Sequence, residues 1–447
     1  MAKGILGTCG EKQQVMLLLL IQIIVIVLMG TLMTYGPEAR PVPRNRSISA
    51  YSPTNSWLPD DKKDDDSPPL YPMYQDVHVM IWIGFGFLMT FLRRYGQSAV
   101  GLTFLVGAIL VQVAMLCEGV FNIGKNGKAP LSLKSLLSAD VAVAAPLISM
   151  GALLGKTTYM QLIVMGIIEL IVYTANKYIG ENHFVVVDAG DSMYVHAFGA
   201  YFGLAVSFVF GMKEKPKEHS LEGSSYESDI FAMIGTVFLW LFWPSFNSAA
   251  LKGDEQRRAI INTLLSIAAS CVISFAVSAF VSKQSKFNMV HVQNSTLAGG
   301  VAIGTAAGMM CEPFGALAIG SAAGAISVLG YKYLTIFPGR IPGLGPNLTE
   351  INENYRLSLK PGPNRSAGQQ AAYQLLALAV TIGVAIVSGL ITGLILRMPI
   401  CGSITEDQKF DDSVNWEFED ENAVHDISSA SKDGNGRTAE QLSMGHI

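Results

Sequence analysis

Long apolar runs recur along this 447-residue chain, and they constrain its fold more than any other feature. Most are long enough for an α-helix to cross a hydrocarbon core about 30 Å thick. A backbone in lipid has to satisfy its own hydrogen bonds, and these runs exceed the roughly 10-residue alternating strands of a barrel. The sequence therefore predicts an all-α, polytopic transmembrane helical bundle with about 11 spans, at residues 15–35, 74–92, 97–117, 140–155, 159–179, 192–211, 230–248, 259–282, 292–311, 315–336 and 371–396.

Composition and the first run agree with a membrane protein. Half of the residues are hydrophobic and only 15% are charged, which is unusual for a soluble domain. The run Val15–Tyr35 is too long for a signal-peptide core and lacks a small-residue cleavage site. We therefore expect a retained span that follows a cytoplasmic N-terminus at residues 1–14.

Basic residues in the short loops predict the orientation of the spans. They follow the even-numbered runs, which places the ends of those runs in the cytoplasm: Arg93, Arg94, Lys156, Lys213, Lys215, Lys217, Lys283 and Lys286. Residues 36–73 then form an extracellular loop, and its sequon at Asn45 predicts N-glycosylation. The transmembrane domain is then predicted to extend over residues 15–400.

The acidity of the chain is concentrated in the tail, residues 401–447. This tail holds 11 of the 35 acidic residues but only 3 of the 31 basic ones. Its simplest interpretation is a solvated, disordered cytoplasmic segment, and binding to a cytoskeletal or adaptor partner is the alternative. The remaining body carries no basic excess that indicates a nucleic-acid partner.

The span count conflicts with this orientation. Eleven spans that start inside would leave the acidic tail outside and would place the sequons at Asn347 and Asn364 in a cytoplasmic loop. Residues 337–370 are too polar and too rich in proline to form a span. Either a span is missing in this interval or the topology is unusual.

The stretch "VVVDAGDSMYVHAFGAYFG", residues 185–203, places an ionisable side chain deep in an apolar run. If Asp188 is the N-cap and Asp191 occupies the capping-box position, eight residues at about 1.5 Å each put His196 about 12 Å deeper. A histidine at membrane depth is a functional-site hypothesis, and a histidine that hydrogen-bonds across helices is the structural alternative.

Two further patterns concern helix packing. The seventh run contains "LFWPSFNSA", in which Pro244 and Asn247 suggest a half-helix that lines a cavity or, alternatively, a packed kink. Glycines spaced by four residues predict a flat stripe where helices approach closely in lipid: Gly300, Gly304, Gly308, Gly320 and Gly324.

Several segments together resemble one known family. "YQDVHVMIWIGFGFLMTFLRRYG", "VDAGDSMYVHAFGAYFG", "DIFAMIGTVFLWLFWPSFNSA", "MVHVQNSTLAGGVAIGTAAG" and "GLILRMP" are similar, in order and over nearly the whole chain, to the Rhesus (Rh) glycoprotein branch of the ammonium transporter family. The resemblance implies a homotrimer in the plasma membrane, mostly of twelve-helix subunits, each with its own narrow apolar pore for ammonium or ammonia. Carbon dioxide is a further substrate associated with this branch.

The resemblance also assigns roles to individual residues. It implies that His196 is the first of two pore histidines, that Asp188 organises the outer end of its helix, and that Phe246 belongs to the outer gate. Trp243 and Asn247 lie in the vicinity of that gate. Ammonium is expected to give up its proton and to cross as ammonia, because an ion in hydrocarbon carries a large desolvation cost.

The chain departs from the family pattern at several positions. Gly339 stands where the second pore histidine is usual, and the span that should follow is absent. Val141 replaces a gate phenylalanine, Lys177 an acidic vestibule residue, Asn288 an aspartate and Asp191 a glycine.

Two functional hypotheses follow from these observations. The first is a passive ammonium or ammonia conduit, and the second is a non-conducting Rh-like subunit with a structural or anchoring role. The sequence contains no paired carboxylates, activated nucleophile or metal-ligand spacing that would indicate an enzyme, a metal site or a cofactor.

Overall fold

The computed structural model describes residues 9–36, 39, 70–211, 219–334, 365–398 and 401–418. These residues contain nine helices that are long and apolar enough to cross a membrane. The predicted all-α, polytopic helical bundle is confirmed. The strands of the described part are β1 (Met33–Tyr35) and β2 (Ala129–Leu131), which pair in parallel with Met33 opposite Ala129.

Twelve α-helices form the framework of the described residues. In chain order they are α1 Cys9–Leu32, α2 Leu70–Val79, α3 Gly96–Val120, α4 Leu133–Gly151, α5 Tyr159–Ile179, α6 Phe198–Gly211, α7 Tyr226–Ser248, α8 Gly253–Val281, α9 Met289–Ser295, α10 Ala298–Gly304, α11 Glu312–Leu334 and α12 Ala367–Leu396. Shorter π, α and 3-10 turns add Met80–Phe85, Gly86–Leu88, Met89–Phe91, Gly180–Phe184, Ser192–Ala197, Glu406–Gln408 and Asp412–Val414.

Two of the predicted spans consist of several shorter pieces. The run at 74–92 passes from α2 through a π turn into a short α-helical and then a 3-10 turn, and the run at 292–311 is divided between α9 and α10. Glycines allow other helices to pack closely at these places, since Gly84 leaves no room for a methyl group beside Leu239. The span prediction was correct about location but not about helical regularity.

Gly320 and Gly324 of the predicted glycine stripe lie against a stripe of serines on α8, whereas Gly300 lies against Trp243 and Gly304 against Ser192. Ser266, Ser270, Ser274 and Ser278 are fully buried and recur every four residues. Ser266 donates a hydrogen bond to the Gly299 carbonyl at 2.9 Å. Since hydrophobic burial does not drive association in lipid, close backbone approach and interhelical hydrogen bonds hold α8, α10 and α11 together.

We expect Gly320→Ala to destabilise the bundle by about 1–3 kcal/mol, the usual range for overpacking a close contact. A methyl group at Gly320 would overlap the carbonyl oxygen of Ser266. Gly315→Ala on the same helix is the control, because its nearest neighbour, the Cβ atom of Cys311, would be 3.6 Å away. Thermal unfolding in detergent measures both variants, and equal melting temperatures would contradict the close approach.

The described helices on either side of residues 335–364 end on opposite faces of the bundle. Near the end of α11, the Tyr331 ring lies 5.2 Å from His291, beside the basic loop that contains Lys283 and Lys286. Near the start of α12, Gln370 donates to the Val185 carbonyl at 2.7 Å, at the other face. Residues 335–364 lie outside the described residues.

Residues 401–418 form a segment that we call the C-terminal strap. Asp412 accepts the backbone N–H groups of Gln97 and Ser98 at 3.0 and 2.6 Å, in the first turn of α3. The Phe410 N–H donates to the Gly155 carbonyl at 2.9 Å. The strap therefore lies on the face of the basic loops that the sequence predicts to be cytoplasmic, and for these residues the prediction of a disordered tail is wrong.

Asp412 acts as an N-cap supplied from more than 300 residues away. We expect Asp412→Ala to cost about 1–2 kcal/mol, the range of a lost N-cap, because two N–H groups of α3 lose their acceptor. Limited proteolysis of the tail should become faster, and the melting temperature should fall. Asp407→Ala, at an exposed position of the same strap, should change neither quantity; a similar loss in both variants would argue against the cap.

Candidate functional site

The candidate site begins in the loop between α5 and α6. The Gly190 N–H donates to the Gly304 carbonyl at 2.9 Å, which joins this loop to the end of α10. A side chain at Gly190 would overlap the Asn247 amide. Asp191 follows in a left-handed conformation with φ of 51°. This turn reverses the chain immediately before the helical segment that carries His196.

Asp188 organises that segment, but not as the predicted N-cap. The helical segment begins at Ser192 with a π turn, and its N-cap residue is Asp191, whose side chain makes no capping bond. One Asp188 oxygen accepts the N–H groups of Met193 and Tyr194 at 2.7 and 3.0 Å. The predicted capping box is therefore wrong, because the turn at Gly190 folds Asp188 back over the helix start.

The other Asp188 oxygen accepts a hydrogen bond from the Thr305 hydroxyl, just after α10. Burial raises the pKa of the Asp188 carboxyl to about 7, and the nearby Asp191 carboxylate contributes to the rise. Hydrogen bonds from Thr305 and from the backbone oppose this rise. Asp188 thus binds the start of one helical segment to the end of another.

His196 lies four positions after Ser192, in the π turn, rather than eight residues after a cap. Its side chain is buried between aromatic rings. The imidazole lies nearly parallel to the Trp243 ring at 5.5 Å between centroids, and its centroid is 5.7 Å from that of Phe246. Its Nε2 atom has no hydrogen-bond partner among the described residues. The alternative of a histidine that hydrogen-bonds across helices through this atom is therefore not observed.

Helix α7 supplies the aromatic side of the site. Trp243 and Phe246 are three residues apart, so both reach the same side of the helix, and both are buried. Asn247 is fully buried and donates to Thr263 at 3.0 Å and to the Gly300 carbonyl at 3.1 Å. Asn247 thus connects α7 to α8 and α10, and α7 continues as one helix past Pro244, so the predicted half-helix is not observed.

Two polar residues of the site, Ser192 and Thr305, were not predicted from the sequence. Ser192 donates to the Val301 carbonyl at 2.6 Å and accepts the Thr305 N–H at 2.9 Å. Both residues bind partners more than 100 positions away, and no local pattern marks such contacts. The nearest signal was Gly304 of the glycine stripe, which allows this loop to approach.

Two departures from the family pattern meet in the structure. The Lys177 ammonium group lies 2.7 Å from a carboxylate oxygen of Asp191. Neither residue type alone indicated a pair, because they are 14 positions apart and belong to different elements.

The remaining predicted positions have other surroundings or lie outside the described residues. Val141 is partly buried on α4, next to Asp140, which binds His78 at 2.8 Å. Asn288 caps α9 by accepting the His291 N–H at 3.0 Å. The glycosylation candidate Asn45 and Gly339 lie outside the described residues. Within the described ranges, no three His, Cys, Asp or Glu side chains are placed to hold a metal ion.

Comparison with known proteins decides the family. A sequence profile of the Ammonium Transporter Family matches residues 62–339. The chain belongs to the ammonium transporter family. It is 42% identical over 428 residues to "Ammonium transporter Rh type B-B" of Xenopus laevis, which covers 89% of this chain and 92% of the relative.

Other relatives place the chain in the Rh branch of this family. It is 40% identical to "Ammonium transporter Rh type C" of Homo sapiens, over 91% of this chain and 90% of that protein. Among solved structures, Rh50 of Nitrosomonas europaea matches with a TM-score of 0.64 and 28% identity, over 81% of this chain and 96% of that one. The family resemblance seen in the sequence is thus confirmed.

Proposed function

We propose that this Rh-branch member transports ammonium nitrogen across the membrane as ammonia, after capture and deprotonation at the outer end of the bundle. Its relatives are named ammonium transporters of Rh types B and C, and Rh50 is described among the Rhesus family of channels. The observation that carries the proposal is the buried His196 imidazole, whose Nε2 atom has no partner in the described part of the chain.

The surroundings of His196 favour a neutral solute. A bare cation in an apolar region costs tens of kcal/mol by the idealised Born argument, whereas a neutral amine loses only its hydrogen bonds to water. Trp243 and Phe246 provide apolar ring surface beside the imidazole. The vacant Nε2 can exchange a hydrogen bond with ammonia and so compensate part of the lost hydration.

Asp188 holds the start of the helical segment that carries His196. Its carboxyl binds two N–H groups of that segment and the Thr305 hydroxyl. A fixed helix start keeps the imidazole at a constant distance from α7. We therefore assign Asp188 a positioning role, while Phe246 and Trp243 form the apolar wall at the gate.

The proposed conduit relies on one imidazole. The sequence has no histidine between His291 and His425, and Gly339 stands where the family resemblance places the second one. A passage with one hydrogen-bonding side chain provides fewer binding positions for ammonia. We therefore expect a lower transport rate per subunit. The comparisons give no support to the alternative of a non-conducting subunit.

Assembly and location complete the proposal. We expect a homotrimer in the plasma membrane, with an N-glycan at Asn45, and carbon dioxide as a second neutral gas for the same apolar route. Residues 36–73 would be extracellular. Residues 1–14 and the tail would be cytoplasmic, and the acidic part of the tail beyond the strap would be available to a cytoskeletal or adaptor partner.

Proteoliposomes with an internal pH-sensitive dye test the transport proposal. After rapid mixing with ammonium chloride, entry of ammonia raises the internal pH, and we expect this change to be faster with the purified protein than in empty vesicles of equal size. Identical rates would contradict the conduit and would leave the non-conducting subunit. Chemical cross-linking in detergent measures the subunit number.

A further inference from the structure

The Lys177–Asp191 ion pair lies at the turn that begins the helical segment of His196. Lys177 belongs to the last turns of α5, and its Nζ atom is 2.7 Å from Asp191 and 3.9 Å from Glu181. The Lys177 side chain is 25% exposed and that of Asp191 only 10%. A pair this shielded is screened by salt less than a pair on an open surface.

The backbone of Asp191 connects the pair to the site. Its N–H donates to the Asp188 carbonyl at 3.0 Å, and its own carbonyl accepts the N–H groups of Val195 and His196 at 2.9 and 3.2 Å. The paired carboxylate is therefore borne by the residue that begins the helical turn of His196. A charge change at this position acts at the mouth of the proposed path.

The groups around the Lys177 ammonium are those that recognise an ammonium cation. They are one carboxylate in direct contact, a second carboxylate at 3.9 Å and the face of the Tyr173 ring, whose centroid is 5.9 Å away. Carboxylates and aromatic faces bind alkylammonium ions by charge-assisted hydrogen bonds and cation–π attraction. The protein fills this cation site with an ammonium group of its own.

We infer that Lys177 is a specificity-determining residue, which occupies the cation site at the outer mouth and thereby prevents ammonium ions from concentrating there. This inference rests on the proposed function, because it concerns which form of the substrate reaches His196. With Lys177 in place, the outer mouth captures ammonium without electrostatic enrichment of the ion. Without it, the Asp191 and Glu181 carboxylates attract external cations.

Initial uptake rates in proteoliposomes test this inference, with methylammonium as the probe over a range of external concentrations. We expect Lys177→Met to lower the half-saturating concentration about three- to tenfold, as removal of one unit charge within several ångströms does in a partly aqueous site. The maximal rate should change less than twofold. Lys177→Arg keeps the charge and should behave like the unsubstituted protein.

Two further measurements separate electrostatics from structure. The gain of Lys177→Met should shrink at high ionic strength, and Lys177→Met/Asp191→Asn should return the half-saturating concentration toward the original value. Asparagine tolerates the left-handed conformation of position 191, so the double variant keeps the turn. A loss of maximal rate with no gain in half-saturation, or a gain that Lys177→Arg shares, would overturn the inference.

Failure of the proposed function can be distinguished from failure of this inference. If the unsubstituted protein is no faster than empty vesicles, transport fails, and the inference is then decided by ligand stabilisation of the purified protein in detergent. Methylammonium chloride should raise the melting temperature of Lys177→Met at lower concentrations than that of Lys177→Arg, relative to equal sodium chloride. Equal concentration dependence in the two variants would reject the cation site.

Discussion

Replacement of His196 with leucine is expected to reduce ammonia flux about tenfold or more while the protein becomes no less stable. Loss of one hydrogen bond to a crossing molecule removes about 1–3 kcal/mol, and about 1.4 kcal/mol corresponds to a tenfold change in rate. Stability should be unchanged or higher by about 1–2 kcal/mol, because no group of the described residues compensates the desolvation of the buried Nε2 atom. Stopped-flow flux and thermal unfolding on one preparation measure both effects.

This experiment is specific because flux is expected to fall while stability is unchanged or higher. If the histidine were needed only for packing or for hydrogen bonds to other helices, its replacement would lower the stability of the protein together with the flux. His183→Leu is a suitable control, since His183 is exposed in the turn after α5 and should change neither quantity. Flux that persists in His196→Leu would mean that the substrate takes a route that avoids this imidazole.

Replacement of Asp188 with alanine is expected to destabilise the protein by about 3–5 kcal/mol. The N–H groups of Met193 and Tyr194 and the hydroxyl of Thr305 all lose their acceptor. Each unsatisfied buried group costs about 1–3 kcal/mol. Expression level and melting temperature in detergent should both fall, and flux should fall with them because the turn of His196 loses its anchor.

Asp188→Asn is the matched variant, because it removes the charge and keeps the geometry. Its amide oxygen can accept both backbone N–H groups, while its amide nitrogen can donate to the Thr305 hydroxyl. Burial raises the pKa of Asp188, so the loss of its charge costs less than it would at an exposed carboxylate. We expect a loss of less than about 1 kcal/mol, within the range of one hydrogen bond. A loss as large as that of Asp188→Ala would show that the charge itself is required.

The length of the apolar runs was sufficient to predict the helical architecture. The spans were located because a helix in lipid needs a long apolar run, and the Gly300–Gly324 stripe was predicted because small residues permit close packing. The course of individual helices was less predictable. The π turn that carries His196 depends on Gly190 and on a left-handed Asp191, and a mean helical rise cannot represent that turn.

The candidate site was predictable only in part. His196, Trp243 and Phe246 were identified by residue type and family resemblance, and the structure places their rings within 5.5 to 6.3 Å of one another. Thr305 and the partner of Lys177 were not predicted. Their contacts depend on how α5, α6 and α10 meet, and single-residue patterns carry no information on such distant pairs.

The C-terminal strap has a consequence for the order of synthesis. Helix α3 starts at Gly96, and the carboxylate that caps its first turn is made more than 300 residues later. At translation rates of about 5–20 residues per second, the start of α3 waits on the order of tens of seconds for its acceptor. Capped α3 exists only in chains whose translation has passed residue 412, so the first turn of this helix distinguishes these chains from those interrupted earlier.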